Sequence, residues 1–148
     1  DLVNYINKSP FTLSGGEKKR LALAIVLAWS PDIIALDEPT IGQDLLQKEK
    51  LLQVIKLLNS QGKTIIVSSH DVEFIADLKP RIILMKRGRI IADGDAEEIF
   101  LNEELLRSCN LLPPQLITLS KELKFIGVKP KLYSPRELAT EIMAKLQR

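Results

Sequence analysis

Two adjacent carboxylates, Asp37 and Glu38, follow the apolar run Ile33-Ile34-Ala35-Leu36. A strand of that kind delivers both acids to its carboxyl end, where the ligands of open α/β sheets collect. An isolated Asp-Glu pair is usually a solvated loop or a helix cap, but a buried strand in front of it allows a division of labour. Asp37 can hold Mg²⁺, usually through water, while Glu38 orients and deprotonates an attacking water.

Three further places carry chemistry. Ser14-Gly15-Gly16-Glu17 has the serine and glutamate spacing with which many helices begin. Its two glycines are unexpected for that role alone, because each costs about 1 kcal/mol against alanine within a helix. What glycine offers is close approach of the backbone to a ligand, and N–H donors at a helix N-terminus form an anion site to which the serine hydroxyl adds a donor. A phosphate is the natural guest. His70 is the single histidine; lone histidines are more often packed or solvated than catalytic. This one stands just beyond a second apolar strand, at the expected rim of Asp37 and Glu38, where an imidazole can donate to a terminal phosphate or hold the glutamate and its water. Asp44, after Gly42-Gln43, reads equally as the N-cap of the next helix and as part of a functional loop.

Gly62-Lys63-Thr64 imitates the end of a phosphate-binding loop. The full pattern needs a glycine where this chain has Leu57, and the loop must follow a strand and open a helix. Here the order is reversed, so Gly62 reads as a helix C-terminal glycine and Lys63 as a cation near the negative end of the helix dipole. No other phosphate-loop candidate is present in these residues.

The elements that must position these groups alternate. Ser14 to Trp29 predicts a helix with Leu21, Ala24, Ile25 and Ala28 at helical spacing, stopped by Pro31. Ile33 to Leu36 predicts a short strand, and its wholly apolar pattern calls for cover on both faces within a parallel sheet. Leu45 to Leu58 predicts an amphipathic helix with Leu51, Leu52, Ile55 and Leu58 on one stripe, Thr64 to Val67 a second buried strand, and Asp71 to Leu78 another covering helix. The fold class is therefore α/β, layered, with a mostly parallel sheet. Arg81 to Lys86 and Arg89 to Ala92 flank Arg87-Gly88 as a hairpin, and Ala96 to Phe100 begins a short helix after Asp93-Gly94-Asp95. Beyond about residue 101 the character changes: Pro113-Pro114 opens a helical stretch to Phe125, and Ser134-Pro135-Arg136-Glu137 caps a last helix with Leu138, Ile142 and Leu146. The expected organisation is a main domain over 1–100 and a small helical extension over 101–148.

Composition narrows the partners. With 148 residues and 45% hydrophobic content the chain can hold one ordinary core. A net charge of +2 gives no electrostatic reason to expect nucleic acid as a direct partner. The one cysteine, Cys109, cannot form an internal disulfide and reads as packing. The longest apolar run, Leu21 to Trp29, is less than half of the roughly 20 residues a membrane-spanning helix needs, and Asp1 opens no signal-like segment. Membrane association, where it occurs, is expected through partners.

Taken in order, Leu13-Ser14-Gly15-Gly16-Glu17, Ile33 to Thr40 with Asp37-Glu38, Gly42-Gln43-Asp44 and Ser69-His70-Asp71 resemble the signature, Walker B, D-loop and H-loop of ATP-binding-cassette ATPases. The resemblance covers roughly the first 100 residues. Ser9-Pro10-Phe11, Lys18-Lys19-Arg20, the Arg81 to Gly94 hairpin and Pro113-Pro114-Gln115 look like the energy-coupling-factor branch, which imports vitamins and cobalt or nickel. Gln43 departs from the leucine common at its position.

The resemblance implies the second half of a P-loop hydrolase domain working as a dimer that sandwiches two ATP molecules. By position, Leu13, Ser14, Gly15, Gly16 and Glu17 would bind the nucleotide held by a partner cassette, Asp37 would serve Mg²⁺, Glu38 would activate water, His70 would contact the γ-phosphate and Asp44 would communicate across the dimer. The implied partners are a second cassette, identical or paralogous, and integral membrane subunits; the implied place is the cytoplasmic face of the membrane, peripherally. A chain that starts without methionine and in mid-pattern is expected to be part of a longer polypeptide. Without the phosphate loop these residues alone are expected not to hydrolyse ATP. Two other readings compete: the head domain of a DNA-repair or chromosome-maintenance ATPase, and a non-catalytic half that supplies the signature in trans.

Overall fold

The computed structural model describes residues 2–147, so Asp1 and Arg148 lie outside the description. The chain forms two compact units, Asp1–Ser69 and His70–Arg148.

The first unit opens with two short 3₁₀ turns, Val3–Tyr5 and Pro10–Thr12, and continues through helix α1 (Gly15–Ala28), strand β1 (Ile33–Asp37), helix α2 (Leu45–Ser60) and strand β2 (Thr64–Ser68). Ser14 starts α1 through a reciprocal cap: the Glu17 N–H donates to Ser14 Oγ at 3.4 Å and the Ser14 N–H donates to Glu17 Oε2 at 2.7 Å, which satisfies two donors that a helix start otherwise orphans. β1 and β2 pair in parallel, Ile33 opposite Thr64 through Asp37 opposite Ser68, with α2 as the crossover that parallel pairing requires. α2 buries Leu51 and Ile55. Gly62 follows it with φ +86°, the left-handed conformation that ends helices cheaply only with glycine.

Lys63 stays at the end of α2, where its N–H donates to Leu58 O at 3.1 Å, and its side chain extends to the turn before β1. Its Nζ donates to Ser30 O at 2.9 Å and to Ser30 Oγ at 3.2 Å, with Asp32 Oδ1 at 3.8 Å. These bonds fix the turn before β1, where Ser30 has φ +47°.

The expected double cover of the strands is not what the described residues show. Ile34 is buried at 2% exposure, but Ile33 is 64% and Ile66 57% exposed. The apolar stripe of α1 likewise buries no residue. Within this unit α2 packs on β2, and one helix covers one face only.

The second unit runs α3 (Val72–Leu78), β3 (Arg81–Lys86), β4 (Arg89–Asp95), α4 (Ala96–Leu101), α5 (Glu103–Ser108), α6 (Gln115–Glu122), a 3₁₀ turn over Leu123–Ile126 and α7 (Pro135–Leu146). Asp71 caps α3, accepting from the Phe74 N–H at 3.1 Å. Arg87 and Gly88 join β3 to β4 with φ +49° and +72°, the two left-handed residues of a tight hairpin whose twist matches its strands. β4 continues three residues past the expected Ala92: Gly94 pairs with Ile82 and Asp95 with Arg81, and Arg81 holds Asp93 through bonds of 2.7 and 2.6 Å. Pairing across the hairpin thus overrides a composition that reads as a loop.

Ala76, Ala96, Ile99, Phe100, Leu106, Ile117 and Leu132 form the core of this unit. It joins residues on both sides of position 101, where the composition changes. Compact packing separates the two units between Ser69 and His70. The Gln115 N–H donates to Glu73 Oε1 at 2.8 Å, tying the start of α6 to α3. Ser134 and Glu137 repeat the reciprocal cap at α7. Among the described residues no helix is long and apolar enough to cross a membrane.

Candidate functional site

At the carboxyl end of the parallel pair, register places Asp37 beside Ser68, and the Ser68 hydroxyl donates to Asp37 Oδ1. The next residue leaves the strand: the Glu38 N–H donates to Ser68 O at 3.0 Å, and Glu38 takes φ +43°. A turn follows in which the Ile41 N–H donates to Glu38 O at 3.3 Å and the Gln43 N–H to Thr40 O at 3.1 Å. Thr40, 4% exposed, anchors this turn in the interior, and Gly42 at φ +70° supplies the reversal that leads to Asp44. The two acids expected at the rim are brought together there, each held by a different kind of contact with the same residue, Ser68.

The Ser14 to Glu17 turn is in the same unit. Leu13, 7% exposed, buries its side chain at the position before the cap, where an apolar residue fixes the angle of entry into a helix. Space around a β-carbon added at Gly15 is open, whereas one at Gly16 would lie 2.8 Å from Gln47 Oε1. Gly15 therefore faces outward and Gly16 is a point of close approach. The Glu17 carboxyl is held down at about 2. The Tyr5 hydroxyl hydrogen bond is the largest cause, followed by the backbone and side chain of Ser14. The same hydrogen bond pushes the Tyr5 hydroxyl up. Glu17 is thus ionised throughout the neutral range and engaged in the cap.

Asp44 has extended backbone and caps α2, accepting from the Gln47 N–H at 2.8 Å through Oδ1 and from Gln47 Nε2 at 3.1 Å through Oδ2. Of the two local readings of Asp44, the cap is the one its hydrogen bonds display. His70 opens the second unit, two residues after Ser68 in the chain, and its neighbour Asp71 caps α3. Sequence reasoning missed Ser68 and Gln47, the partners that hold the two acids and the second glycine. For Ser68 the signal was available, since a strand pairing in parallel with β1 must end opposite its acid.

The donor set suits a cation that keeps most of its water. Among the described residues no group of three or more His, Cys, Asp or Glu gathers, so they build no all-protein cage. One carboxylate with a serine beside it matches Mg²⁺, which is held by one or two carboxylates together with substrate phosphates.

The family model described as ABC transporter matches residues 2–41. The chain is 48% identical over 135 residues to energy-coupling factor transporter ATP-binding protein EcfA2 of Methanospirillum hungatei, covering 91% of this chain and 34% of that protein. It is 38% identical over 146 residues to EcfA3 of Oenococcus oeni, covering 97% and 51%. Among solved structures, cbiO1 from Clostridium perfringens, part of the ABC transporter complex cbiONQ, superposes with TM-score 0.58 at 32% identity over 79% of this chain and 46% of that one. A dimeric ATP-binding cassette in a post-hydrolysis state, bound to ADP and Pi, superposes with TM-score 0.58 at 36% identity over 64% and 40%. The chain thus spans about a third to a half of the length of these relatives.

Proposed function

Because the chain belongs to the ATP-binding-cassette ATPases and corresponds to the C-terminal portion of their α/β fold, we propose that it is the signature-bearing and acid-bearing part of an importer ATPase of the energy-coupling-factor type. The observation that carries this reading is the meeting of Asp37, Glu38 and Ser68 at the end of β1 and β2, in the same unit as a preformed Ser14-Gly15-Gly16 helix start.

In this reading residues 1–100 belong to the nucleotide-hydrolysing domain and 101–148 form its helical extension. The N–H groups of Gly15 and Gly16 and the Ser14 hydroxyl meet the γ-phosphate of an ATP held by a partner cassette, in trans. Leu13 and Glu17 keep that turn in shape. Asp37, oriented by Ser68, is the residue that would hold Mg²⁺ through water, and the cation would neutralise charge developing on the phosphate oxygens. Glu38 orients the attacking water and takes its proton. His70 donates to the γ-phosphate, and Asp44 communicates across the dimer from the turn it shares with Glu38. A membrane-embedded partner then uses cassette closure to import a vitamin, cobalt or nickel, with the ATPase peripheral on the cytoplasmic face.

The test is complementation. The chain is mixed with a full energy-coupling-factor cassette whose own signature serine has been replaced, and ATP turnover is followed. Restored turnover that Ser14→Arg in this chain abolishes supports the reading. No restoration with a demonstrably bound chain refutes the role in trans. ATP turnover by this chain alone that falls with Glu38→Gln would refute the claim that hydrolysis needs a phosphate loop these residues lack.

A further inference from the structure

Gly16 and Lys19 are three residues apart on α1 and therefore share a face. Both meet the segment that follows the acids. Lys19 Nζ donates to Ile41 O at 2.5 Å, and the side chain of Gln47, itself held by Asp44, lies against Gly16. Seen from the acids, the connection is a short relay of backbone bonds. The Glu38 N–H donates to Ser68 O, the Ile41 N–H donates to Glu38 O, and Ile41 O accepts from the Lys19 ammonium.

The turn that needs this support contains two left-handed residues, Glu38 and Gly42. Glycine adopts that conformation freely, but glutamate holds it only where its surroundings fix it. Thr40 fixes the turn from inside. Lys19 is the charged donor that fixes it from the helix, and a hydrogen bond from an ionised donor is stronger than a neutral one.

We propose that Lys19 is a positioning residue for Glu38, acting through Ile41, so that the signature turn at the start of α1 and the backbone of the water-activating acid move as one piece within a single subunit. The proposal rests on the role given to Glu38 above. It places the link inside the subunit, on the helix face that carries Gly16, and assigns Lys19 no contact with nucleotide.

The experiment is amide hydrogen exchange by NMR on this chain, in the unmodified protein and in Lys19→Met, Lys19→Arg and Lys18→Met, with circular dichroism to confirm folding. Lys19→Met is expected to speed exchange of the Ile41 and Gln43 amides by about threefold to tenfold, the scale of one lost charged hydrogen bond at an exposed site. Lys19→Arg restores both, Lys18→Met changes neither, and the amides of α1 and β1 keep their rates. Exchange at Ile41 and Gln43 unchanged in Lys19→Met overturns the proposal. So does faster exchange spread evenly through α1 and β1, or an effect that Lys19→Arg does not rescue. These rates are read without nucleotide or partner, so they can fail while complementation succeeds, and the reverse.

Discussion

Alanine at Gly15 and alanine at Gly16 should differ, although the two positions are neighbours in the same helical turn. Each replacement gains helix propensity, about 0.5–1 kcal/mol in a first turn. At Gly15 the new methyl enters open space, so the gain is kept. At Gly16 it would stand 2.8 Å from Gln47 Oε1, and the Gln47 carboxamide must swing away. Moving it breaks the 3.1 Å bond from Gln47 Nε2 to Asp44, a loss of about 0.5–1 kcal/mol for a bond at an exposed site. The expected result is stabilisation by Gly15→Ala and near neutrality for Gly16→Ala, a gap of about 0.5–1 kcal/mol. Removing the obstacle should close the gap: in a Gln47→Ala background Gly16→Ala recovers the full gain, which gives a double-mutant coupling of similar size. Denaturant unfolding followed by the fluorescence of Trp29, the single tryptophan, measures the unmodified protein and all four variants. A Gly16→Ala protein stabilised as much as Gly15→Ala, or a coupling below about 0.3 kcal/mol, refutes the close approach between α1 and the start of α2.

Two further outcomes follow from the same unit. The Glu17 carboxyl is held at about 2 against an ordinary 4.5, so its contribution to the start of α1 is complete above pH 4.5 and is lost as pH falls toward 2. Carbon-detected NMR of the Glu17 carboxyl should find its midpoint in that window, and Tyr5→Phe should move it upward; an unmoved midpoint would show that the Tyr5 hydroxyl is not its main partner. Lys63→Met removes the bonds to Ser30 from a side chain only 17% exposed and should lower stability by about 1–2 kcal/mol in denaturant unfolding. An unchanged midpoint would mean that the turn before β1 holds without it.

The features most legible in the sequence are those decided within a few residues. Both reciprocal caps, Ser14 with Glu17 and Ser134 with Glu137, stand where their spacing places them, because a helix start is a local hydrogen-bonding problem. The parallel pairing of β1 with β2 is legible for a related reason: two apolar runs separated by one amphipathic helix leave few other arrangements. Helix α5 escaped notice although Asn102 caps it, accepting from the Leu105 N–H at 3.1 Å, and Glu103 and Glu104 fill its first turn. Its six residues are too few for a periodic pattern. What the sequence hides is contact between distant segments. Nothing in Gly16 announces Gln47, and nothing in Lys19 announces Ile41, since both meetings depend on how α1 settles against the turn after β1. The exposed Ile33 and Ile66 show the same limit from the other side: an apolar run records that cover is needed, without saying which residues provide it.

The left-handed backbone at Glu38 sets the pleat of β1 aside at a single residue. Within a strand, successive side chains point to opposite faces, so two adjacent acids on an uninterrupted β1 would be parted by the pleat. Breaking the strand at Glu38 frees the second acid from that alternation. Glycine or asparagine would satisfy such a backbone more cheaply. Keeping glutamate at φ +43° therefore carries the second carboxylate where an unbroken strand would not, on a backbone that glycine or asparagine adopts more readily.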